Sequence, residues 1–351
     1  MQHPTSLPLT AEQFAESYHR ITAMQHHLSA ELRSVFQRIK PSQEQASTIR
    51  HRMYQALRYN NCQGAWAGLL DDTVDVNKAY KPSWLSVSAY TATLLQNAPS
   101  FIRVNTLRTS VTKCLEALAP FKPVHIHNEC IRIDAPFGLF TCEAFAKGWF
   151  EQQDVNSQRV GSSLMQTVLI NKQCKRIVDL CAGAGGKTLH LAALTANMRQ
   201  ILAFDTIEHK LELLRKRASR AGASNIAIRH ISSTKILKRQ YGKADLVLVD
   251  APCSGSGVLR RNPDILYHLS SEHISELVAT QADLLNRAFL LCKPGGYVAY
   301  VTCSIFPEEC EQQVSQIQNT HRSTVANEWR TQVGDNEGDG FYFCLMQCTD
   351  S

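Results

Sequence analysis

The sequence lacks the features that define several classes of protein. No apolar run approaches the roughly 20 residues that a membrane-spanning helix requires, and the opening MQHPTSLPLTAEQF contains no charged-then-apolar signal segment. Although 12 cysteines are present, none form a C-x-x-C pair or a zinc-like spacing. We therefore expect a cytoplasmic protein that lies outside the membrane, binds no metal and keeps most of its cysteines reduced in its core.

Internal repeats, low-complexity tracts and a strong charge excess are absent too. The 37 Lys and Arg against 31 Asp and Glu give a formal net charge of +6. That balance is compatible with an anionic partner and equally common among metabolic enzymes. The 351 residues, 44% of them hydrophobic, allow two or three domains with a sizeable core. Composition alone therefore does not select a function.

The first 95 residues predict an all-helical N-terminal region. Apolar residues recur at helical spacings over residues 10–40, which predicts one helix there, and a second helix follows Pro41. Each predicted start carries a capping box, formed by Thr10 with Gln13 and by Ser42 with Gln45. We therefore assign residues 1–95 to a helical region.

The rest of the chain predicts a small α+β unit over residues 96–155 and an α/β domain over residues 156–351. In the small unit, the strand segments FIRVNTLR, IRIDAPFGLF and GWFEQQD surround a helix near SVTKCLEALAP. In the larger domain strands alternate with helices, which is typical of a parallel sheet with helices on both faces. The segment GDGFYFCLMQC is predicted to end the domain as a strand pair.

Acids and a cysteine end the predicted strands of this domain. They are Asp179, Asp205, Asp250 and Cys303, and Cys253 follows Asp250 closely. In open parallel sheets, ligands bind outside the carboxyl ends of the strands. We therefore expect the two cysteines to face one crevice.

The segment DLCAGAGGKT (residues 179–188) predicts a tight turn from a strand into a helix, with glycines that let the backbone approach a ligand. A P-loop would need glycine where Cys181 stands, which disfavours ATP. Asp205 ends the next strand, 22 residues after Gly183, where an acid suits ribose hydroxyls. NAD and S-adenosylmethionine satisfy this geometry equally.

Two cysteines at the strand ends favour methyl transfer over hydride transfer. Hydride transfer needs no thiol, whereas carbon 5 of a pyrimidine becomes nucleophilic only after a thiolate adds to carbon 6. A nearby sulfonium and Lys187 would raise the thiolate fraction of such a cysteine. The spacing does not choose which cysteine attacks.

Three segments, DAPCSGSG, TCSIFPEE and DLCAGAGGKT, together resemble the RNA cytosine-5 methyltransferases of the Nol1/Nop2/Sun type, including bacterial ribosomal RNA enzymes. The segments RVNTLR, EQQDVNSQ, LRRNPDILY, LLNRAFLLCKPGGYVAY and DGFYF also resemble family segments in the family's order. The resemblance covers residues 100–351. It implies a class I S-adenosylmethionine-dependent methyltransferase (Rossmann-like) sheet, preceded by a small α+β RNA-binding unit and the helical region.

The resemblance also implies roles for the matched residues. Cys303 of the T-C-S segment is the nucleophile, Cys253 assists release of the product, and Asp250 hydrogen-bonds the pyrimidine, with Lys187 completing the catalytic set. The residues matched to the cofactor site are Cys181, Ala182, Gly183, Ala184, Gly185, Gly186, Lys187, Asp205 and Asp250.

This chain departs from the family pattern at two places. Gly183-Ala184 stands where the family has Ala-Pro, which removes a fixed φ from the loop. Ser232 and Ser233 stand where the family has an acid for the adenine amino group, and a hydroxyl can accept that hydrogen bond without charge.

RNA contacts are predicted at Arg260 and Arg261 of the LRR segment, which directly follows the active-site turn. The basic helix HKLELLRKRASR is also a candidate, although an ordinary solvated face is the favoured interpretation. The predicted function is methylation of carbon 5 of cytosine in RNA, with ribosomal RNA as the favoured substrate. The alternatives are a transfer RNA substrate and a non-catalytic RNA-binding relative that acts in ribosome assembly.

Overall fold

The computed structural model describes residues 9, 11–23, 27–58, 98–265 and 269–349. These fall into two compact units, one from the described parts of 1–97 and 254–275, the other from 98–253 with 276–349. The helices described are α1 (Ala11–Thr22), α2 (Leu28–Ile39), α3 (Gln43–Arg58), α4 (Val111–Ala117), α5 (Glu143–Ala146), α6 (Val155–Leu164), α7 (Gly186–Leu194), α8 (Glu208–Ala221), α9 (Thr234–Lys238), α10 (Ser271–Leu291) and α11 (Glu311–Thr320). The strands described are β1 (Ser100–Val104), β2 (Pro123–His127), β3 (Cys130–Ile133), β4 (Phe150–Gln152), β5 (Arg176–Asp179), β6 (Gln200–Asp205), β7 (Ile226–His230), β8 (Ala244–Asp250), β9 (Cys292–Thr302), β10 (Ser323–Thr331) and β11 (Phe341–Cys348).

The single helix predicted over residues 10–40 is wrong, because two helices, α1 and α2, occupy that span. His27 has extended backbone angles at the start of α2, which interrupts the helix. The break lets both helices bury their apolar faces in one cluster with α3, formed by Phe14, Ile21, Leu28, Leu32, Ile49, Met53 and Leu57. Apolar spacing continues across the break, so periodicity alone does not reveal it.

The capping box at the start of α3 is confirmed. The backbone N–H of Ser42 donates to Oε1 of Gln45 at 2.9 Å, and the backbone N–H of Gln45 donates to Oγ of Ser42 at 3.2 Å. The predicted box at Thr10 lies outside the described residues. The boundary predicted at residue 95 also falls among residues that the structure does not describe.

A four-stranded antiparallel sheet, in the order β2-β3-β1-β4, forms the small α+β unit. Its strand β2 was not predicted, because this edge strand is mostly exposed and begins with a proline. The strand predicted in IRIDAPFGLF is shorter, covering Cys130–Ile133. The side-chain amide of Asn105 donates to the carbonyl oxygen of Ala221 at 2.8 Å, so this sheet packs against the end of α8.

The larger sheet has seven strands in the order β10-β11-β9-β8-β5-β6-β7. The strands from β5 to β9 pair in parallel, whereas β11 is antiparallel to both β9 and β10. The predicted α/β class is confirmed. The strand pair predicted in GDGFYFCLMQC is wrong, because that segment supplies only β11 and its partner β10 lies upstream.

The direction of winding reverses between β5 and β8, which are neighbours in the sheet. The chain moves outward from β5 through β6 to β7, and then returns to place β8 and β9 on the other side of β5. Such a reversal opens a crevice at the carboxyl ends of the two central strands. Within the described ranges, no helix is long and apolar enough to cross a bilayer, and no three metal-ligating side chains come together.

Candidate active site

The turn after β5 has one packed side and one open side. Gly183 and Gly185 have φ of 53° and 92°, left-handed values that glycine adopts without strain. A Cβ at Gly185 would lie 2.1 Å from Cδ1 of Leu214 on α8, whereas a Cβ at Gly183 or Gly186 would meet nothing within 4 Å. The turn is therefore packed against α8 at Gly185 and open at Gly183 and Gly186, beside the start of α7.

The carboxylate of Asp205 organises this turn. Its Oδ2 accepts the backbone N–H of Gly183 at 2.7 Å, and its Oδ1 accepts the backbone N–H of Ile207 at 2.8 Å. Each oxygen keeps lone-pair capacity for a ribose hydroxyl. The neighbouring Ile207 side chain is 38% exposed and offers apolar surface beside the acid. The sequence placed Asp205 at this strand end but did not indicate that it also holds the glycine turn.

Asp179, at the end of β5, is an acid that is only 1% exposed. Its Oδ2 accepts a hydrogen bond from the Thr188 hydroxyl at 2.6 Å, while Oδ1 has no partner among the residues that the structure describes. Burial raises the pKa of Asp179 to about 7, even though the Thr188 hydrogen bond acts in the opposite direction. A carboxyl at the base of the crevice therefore titrates near neutral pH.

Lys187 and Asp250 form an ion pair across the crevice. Nζ of Lys187 lies 2.8 Å from Oδ1 of Asp250, and the side chains are 10% and 36% exposed respectively. The Lys187 ammonium also lies 5.4 Å from the centre of the Phe341 ring. The pair joins the first turn of α7 to the carboxyl end of β8, so the glycine turn and the strand-end acid lie together.

The two cysteines of the P-C and T-C-S segments meet at the same place. Sγ of Cys253 and Sγ of Cys303 are 3.4 Å apart, and both residues are partly exposed. Cys253 follows β8 and Cys303 follows β9, which are parallel neighbours in the sheet. The expectation that both cysteines face one crevice agrees with this geometry.

Two arginines of the basic helix α8 form ion pairs with another part of the protein. Buried Glu151 of β4 accepts from Arg217 at 2.9 Å and from Arg220 at 2.5 Å. Arg217 also donates to the carbonyl oxygen of Ala184 at 2.7 Å. These arginines therefore link the small sheet to the glycine turn and do not form a free phosphate-binding face. No sequence pattern predicted these ion pairs, because Glu151 lies far from α8 along the chain.

The residues predicted to contact RNA and adenine differ in their exposure to solvent. Arg260 is only 2% exposed, so its guanidinium is not presented to solvent, whereas Arg261 is partly exposed. Both belong to the first compact unit. Ser232 and Ser233 are exposed at the start of α9, and no side-chain hydrogen bond from Ser233 caps that helix.

The strand order and the glycine turn at the carboxyl end of β5 define an S-adenosylmethionine-dependent methyltransferase of the Rossmann-like class. Residues 166–345 match the profile of the 16S rRNA methyltransferase RsmB/F family. The chain belongs to this family, which confirms the resemblance noted in the sequence.

Curated relatives share about a third of their aligned residues with this chain. Ribosomal RNA small subunit methyltransferase B of Klebsiella pneumoniae (strain 342) is 32% identical over 295 residues, covering 81% of this chain and 63% of the relative. The protein of the same name from Proteus mirabilis (strain HI4320) is 29% identical over 284 residues, covering 77% of this chain and 63% of the relative. The chain thus spans less than two thirds of their length.

Solved structures share the fold. A methyltransferase homologue from Pyrococcus horikoshii superposes with a TM-score of 0.64 at 26% identity, covering 74% of this chain and 89% of that one. NSun6 from the same organism has a TM-score of 0.66 at 19% identity, covering 75% and 94%. These likenesses support the Rossmann-like architecture.

Proposed function

We propose that this protein transfers a methyl group from S-adenosylmethionine to carbon 5 of cytosine in RNA, with ribosomal RNA as the substrate. The observation that carries the proposal is the 3.4 Å separation of the Cys253 and Cys303 sulfurs in a methyltransferase crevice. A pure RNA-binding protein has no need of paired thiols beside a lysine–aspartate pair. Relatives named for methylation of small-subunit ribosomal RNA support that substrate, which would place the protein in the cytoplasm.

The residues of the glycine turn fit S-adenosylmethionine. The open space beside Gly183 and Gly186 would hold the nucleoside, the backbone from Cys181 to Gly186 would line it, and Asp205 would accept the ribose hydroxyls. When bound, this cofactor supplies an electrophilic methyl group on a sulfonium. Ser232 or Ser233 would face the adenine amino group where the family has an acid.

The thiol of Cys303 is proposed to act first, as a thiolate that adds to carbon 6 of the cytosine. The addition makes carbon 5 nucleophilic, so that it can accept the methyl group. Asp250 would hydrogen-bond the pyrimidine, and the Lys187 ammonium at 2.8 Å would orient that carboxylate. The target base must be unstacked to enter the crevice.

The thiol of Cys253 is proposed to act last. After methyl transfer the base is still bonded to Cys303 and carries a proton on carbon 5. A base must take that proton, and the electron pair left on carbon 5 then re-forms the ring double bond and expels the Cys303 thiolate. Cys253 lies 3.4 Å from Cys303, which suits a group that promotes this release.

Nucleoside analysis tests the proposal. Purified protein is incubated with radiolabelled S-adenosylmethionine and either unmodified 16S ribosomal RNA or transfer RNA, and the RNA is then digested to nucleosides. Label in 5-methylcytidine from ribosomal RNA, absent with Cys303→Ala, is the expected result. Label in 5-methylcytidine from transfer RNA alone would show that transfer RNA, and not ribosomal RNA, is the substrate. Tight RNA binding without any transfer would favour the non-catalytic assembly role.

A further inference from the structure

A buried polar chain connects the segments that carry the two cysteines. Glu309 is 0% exposed, and its Oε2 accepts from the Ser304 hydroxyl at 2.5 Å. Its Oε1 accepts from Nε2 of Gln281 at 3.0 Å, and the same nitrogen donates to the carbonyl oxygen of Pro252 at 2.9 Å. These hydrogen bonds therefore connect Pro252, next to Cys253, with Ser304, next to Cys303. The side chains of Gln281 and Glu309 form the connection.

The sheet brings the two cysteines to the same edge, but the pairing of β8 with β9 stops short of both of them. The paired register of β8 and β9 ends at Asp250 and Val301, followed by one bond from Ala251 N to Val301 O at 2.9 Å. Cys253 and Cys303 both lie beyond that last bond. Their separation therefore depends on contacts made after the strands end, and the polar chain supplies such contacts on both sides.

These hydrogen bonds are buried, so water does not compete for their donors and acceptors. A buried carboxylate is costly unless it is hydrogen-bonded, so removing one partner of Glu309 penalises the arrangement strongly. Inside a protein, linked hydrogen bonds also strengthen one another. A fixed separation matters here because the two thiols must serve one base in consecutive steps, and small misplacements of reacting groups slow reactions greatly.

We propose that Gln281 and Glu309 are positioning residues that hold the Cys253 and Cys303 sulfurs within reach of each other. Neither side chain touches the base; each acts through Pro252 or Ser304. The proposal rests on the proposed function for its consequence, since it assigns to the pair control over the step that releases the methylated base. The distance between the two sulfurs does not depend on that function.

Disulfide formation driven by diamide measures the sulfur separation without RNA or cofactor. The two thiols give up two hydrogens to the diazene, which becomes a hydrazine, and one sulfur–sulfur bond forms. Peptide mass spectrometry follows the Cys253–Cys303 peptide with time. We expect Gln281→Leu to slow its formation about 5-fold, the factor that corresponds to losing roughly one buried hydrogen bond.

Gln313→Leu is the matched control. Gln313 is a buried glutamine like Gln281, and its Nε2 also donates to two oxygens, the carbonyls of Val278 at 2.9 Å and Glu308 at 3.3 Å. Those bonds do not reach Pro252. The control should lose comparable thermal stability and form the disulfide at the wild-type rate.

Glu309→Gln guards against a Gln281→Leu variant that fails to fold. The amide keeps the shape of Glu309 but has one acceptor oxygen in place of two, so it cannot accept from both the Gln281 amide and the Ser304 hydroxyl, and slower disulfide formation is again expected. In the methylation assay both variants should lower kcat and leave the KM for RNA unchanged. Disulfide formation at the wild-type rate in a folded Gln281→Leu or Glu309→Gln protein would overturn the proposal. A wild-type protein that forms the disulfide quickly but makes no 5-methylcytidine would instead refute the proposed function and leave the positioning role standing.

Discussion

At the level of the single residue, Asp205 holds the glycine turn through two backbone hydrogen bonds and is proposed to accept the ribose hydroxyls of the cofactor. Asp205→Asn leaves only one acceptor oxygen and brings an amide N–H against a backbone N–H. We expect S-adenosylmethionine binding, measured by titration calorimetry, to weaken by about 1–3 kcal/mol, the cost of unpaired hydrogen-bonding groups.

Asp245→Asn is the matched control for that change. Asp245 also accepts two backbone N–H groups, those of Lys175 at 2.9 Å and Arg176 at 2.7 Å, but it lies at the opposite end of the sheet. This variant should lose stability and keep cofactor affinity. Equal losses of affinity in the two variants would point to general loosening of the sheet.

Asp179 makes the stability of the cofactor-free protein depend on pH. Burial raises its pKa to about 7, whereas an unfolded aspartate has a pKa of about 3.9. Because the folded state binds the proton more tightly, this contribution to stability is complete below about pH 3.9 and is lost as pH rises through about 7.

Asp179→Asn stays neutral at every pH and keeps an acceptor for the Thr188 hydroxyl. Its free energy of unfolding in urea should match that of the wild type near pH 4 and exceed it increasingly up to pH 8. A difference between the two proteins that does not change with pH would show that Asp179 does not titrate in this range.

Substitutions in the glycine turn between β5 and α7 distinguish two effects, the loss of stability from strain and clash and the filling of the open space beside the turn. Gly185→Ala should destabilise the fold by about 2 kcal/mol or more, because alanine is strained at positive φ and its Cβ would strike Leu214. Gly183→Ala carries the strain without the clash, about 1–2 kcal/mol, and its Cβ enters the open space. We expect urea denaturation to rank Gly185→Ala as less stable, and calorimetry to show weaker cofactor binding for Gly183→Ala. Equal stability of the two variants would contradict the packing of this turn.

The sequence predicted elements well where a pattern is local and strong. Buried parallel strands such as β8 are apolar from Leu246 to Val249 and end at an acid, and Gly222, with a φ of 70°, caps the end of α8. It failed where the pattern is weak or continuous. Strand β10 is exposed or partly buried over all but its last residue and has many polar residues, and the break between α1 and α2 leaves the apolar spacing undisturbed.

Across the whole molecule, Glu151 couples the small sheet to the methyltransferase sheet. Glu151→Ala leaves Arg217 and Arg220 without their carboxylate, and breaking a largely buried pair costs about 3 kcal/mol. We expect the urea midpoint to fall and the protein to bind S-adenosylmethionine more weakly, because Arg217 also supports the Ala184 carbonyl. Glu143→Ala removes an exposed ion pair with Lys147 in the same sheet unit and should leave both measurements unchanged. A Glu151→Ala protein as stable as Glu143→Ala would contradict the coupling.

The candidate site was predictable only where strand ends determine position. The carboxyl ends of β8 and β9 bring Cys253 and Cys303 together, so their meeting followed from the alternating pattern of strands and helices. The pairing of Glu151 with Arg217 and Arg220 depends on contacts between segments distant in sequence. No local pattern encodes such contacts, and residue type alone suggested solvent or RNA for these arginines.

The central claim is that two thiols act in turn on one base. Without Cys253, the step that expels Cys303 should stall after methyl transfer. Cys253→Ala incubated with substrate RNA and S-adenosylmethionine should therefore accumulate a protein–RNA adduct that survives denaturing electrophoresis. Cys142→Ala, which alters a partly exposed cysteine of the small unit, is the control and should accumulate none.

The adduct should require S-adenosylmethionine and disappear in the Cys253→Ala, Cys303→Ala double variant, because Cys303 supplies the bond to carbon 6. Electrophoresis of Cys253→Ala under conditions where the wild type turns over is the most direct measurement. A denaturation-resistant band is the predicted result. A fully active Cys253→Ala protein without that band would contradict the two-cysteine account.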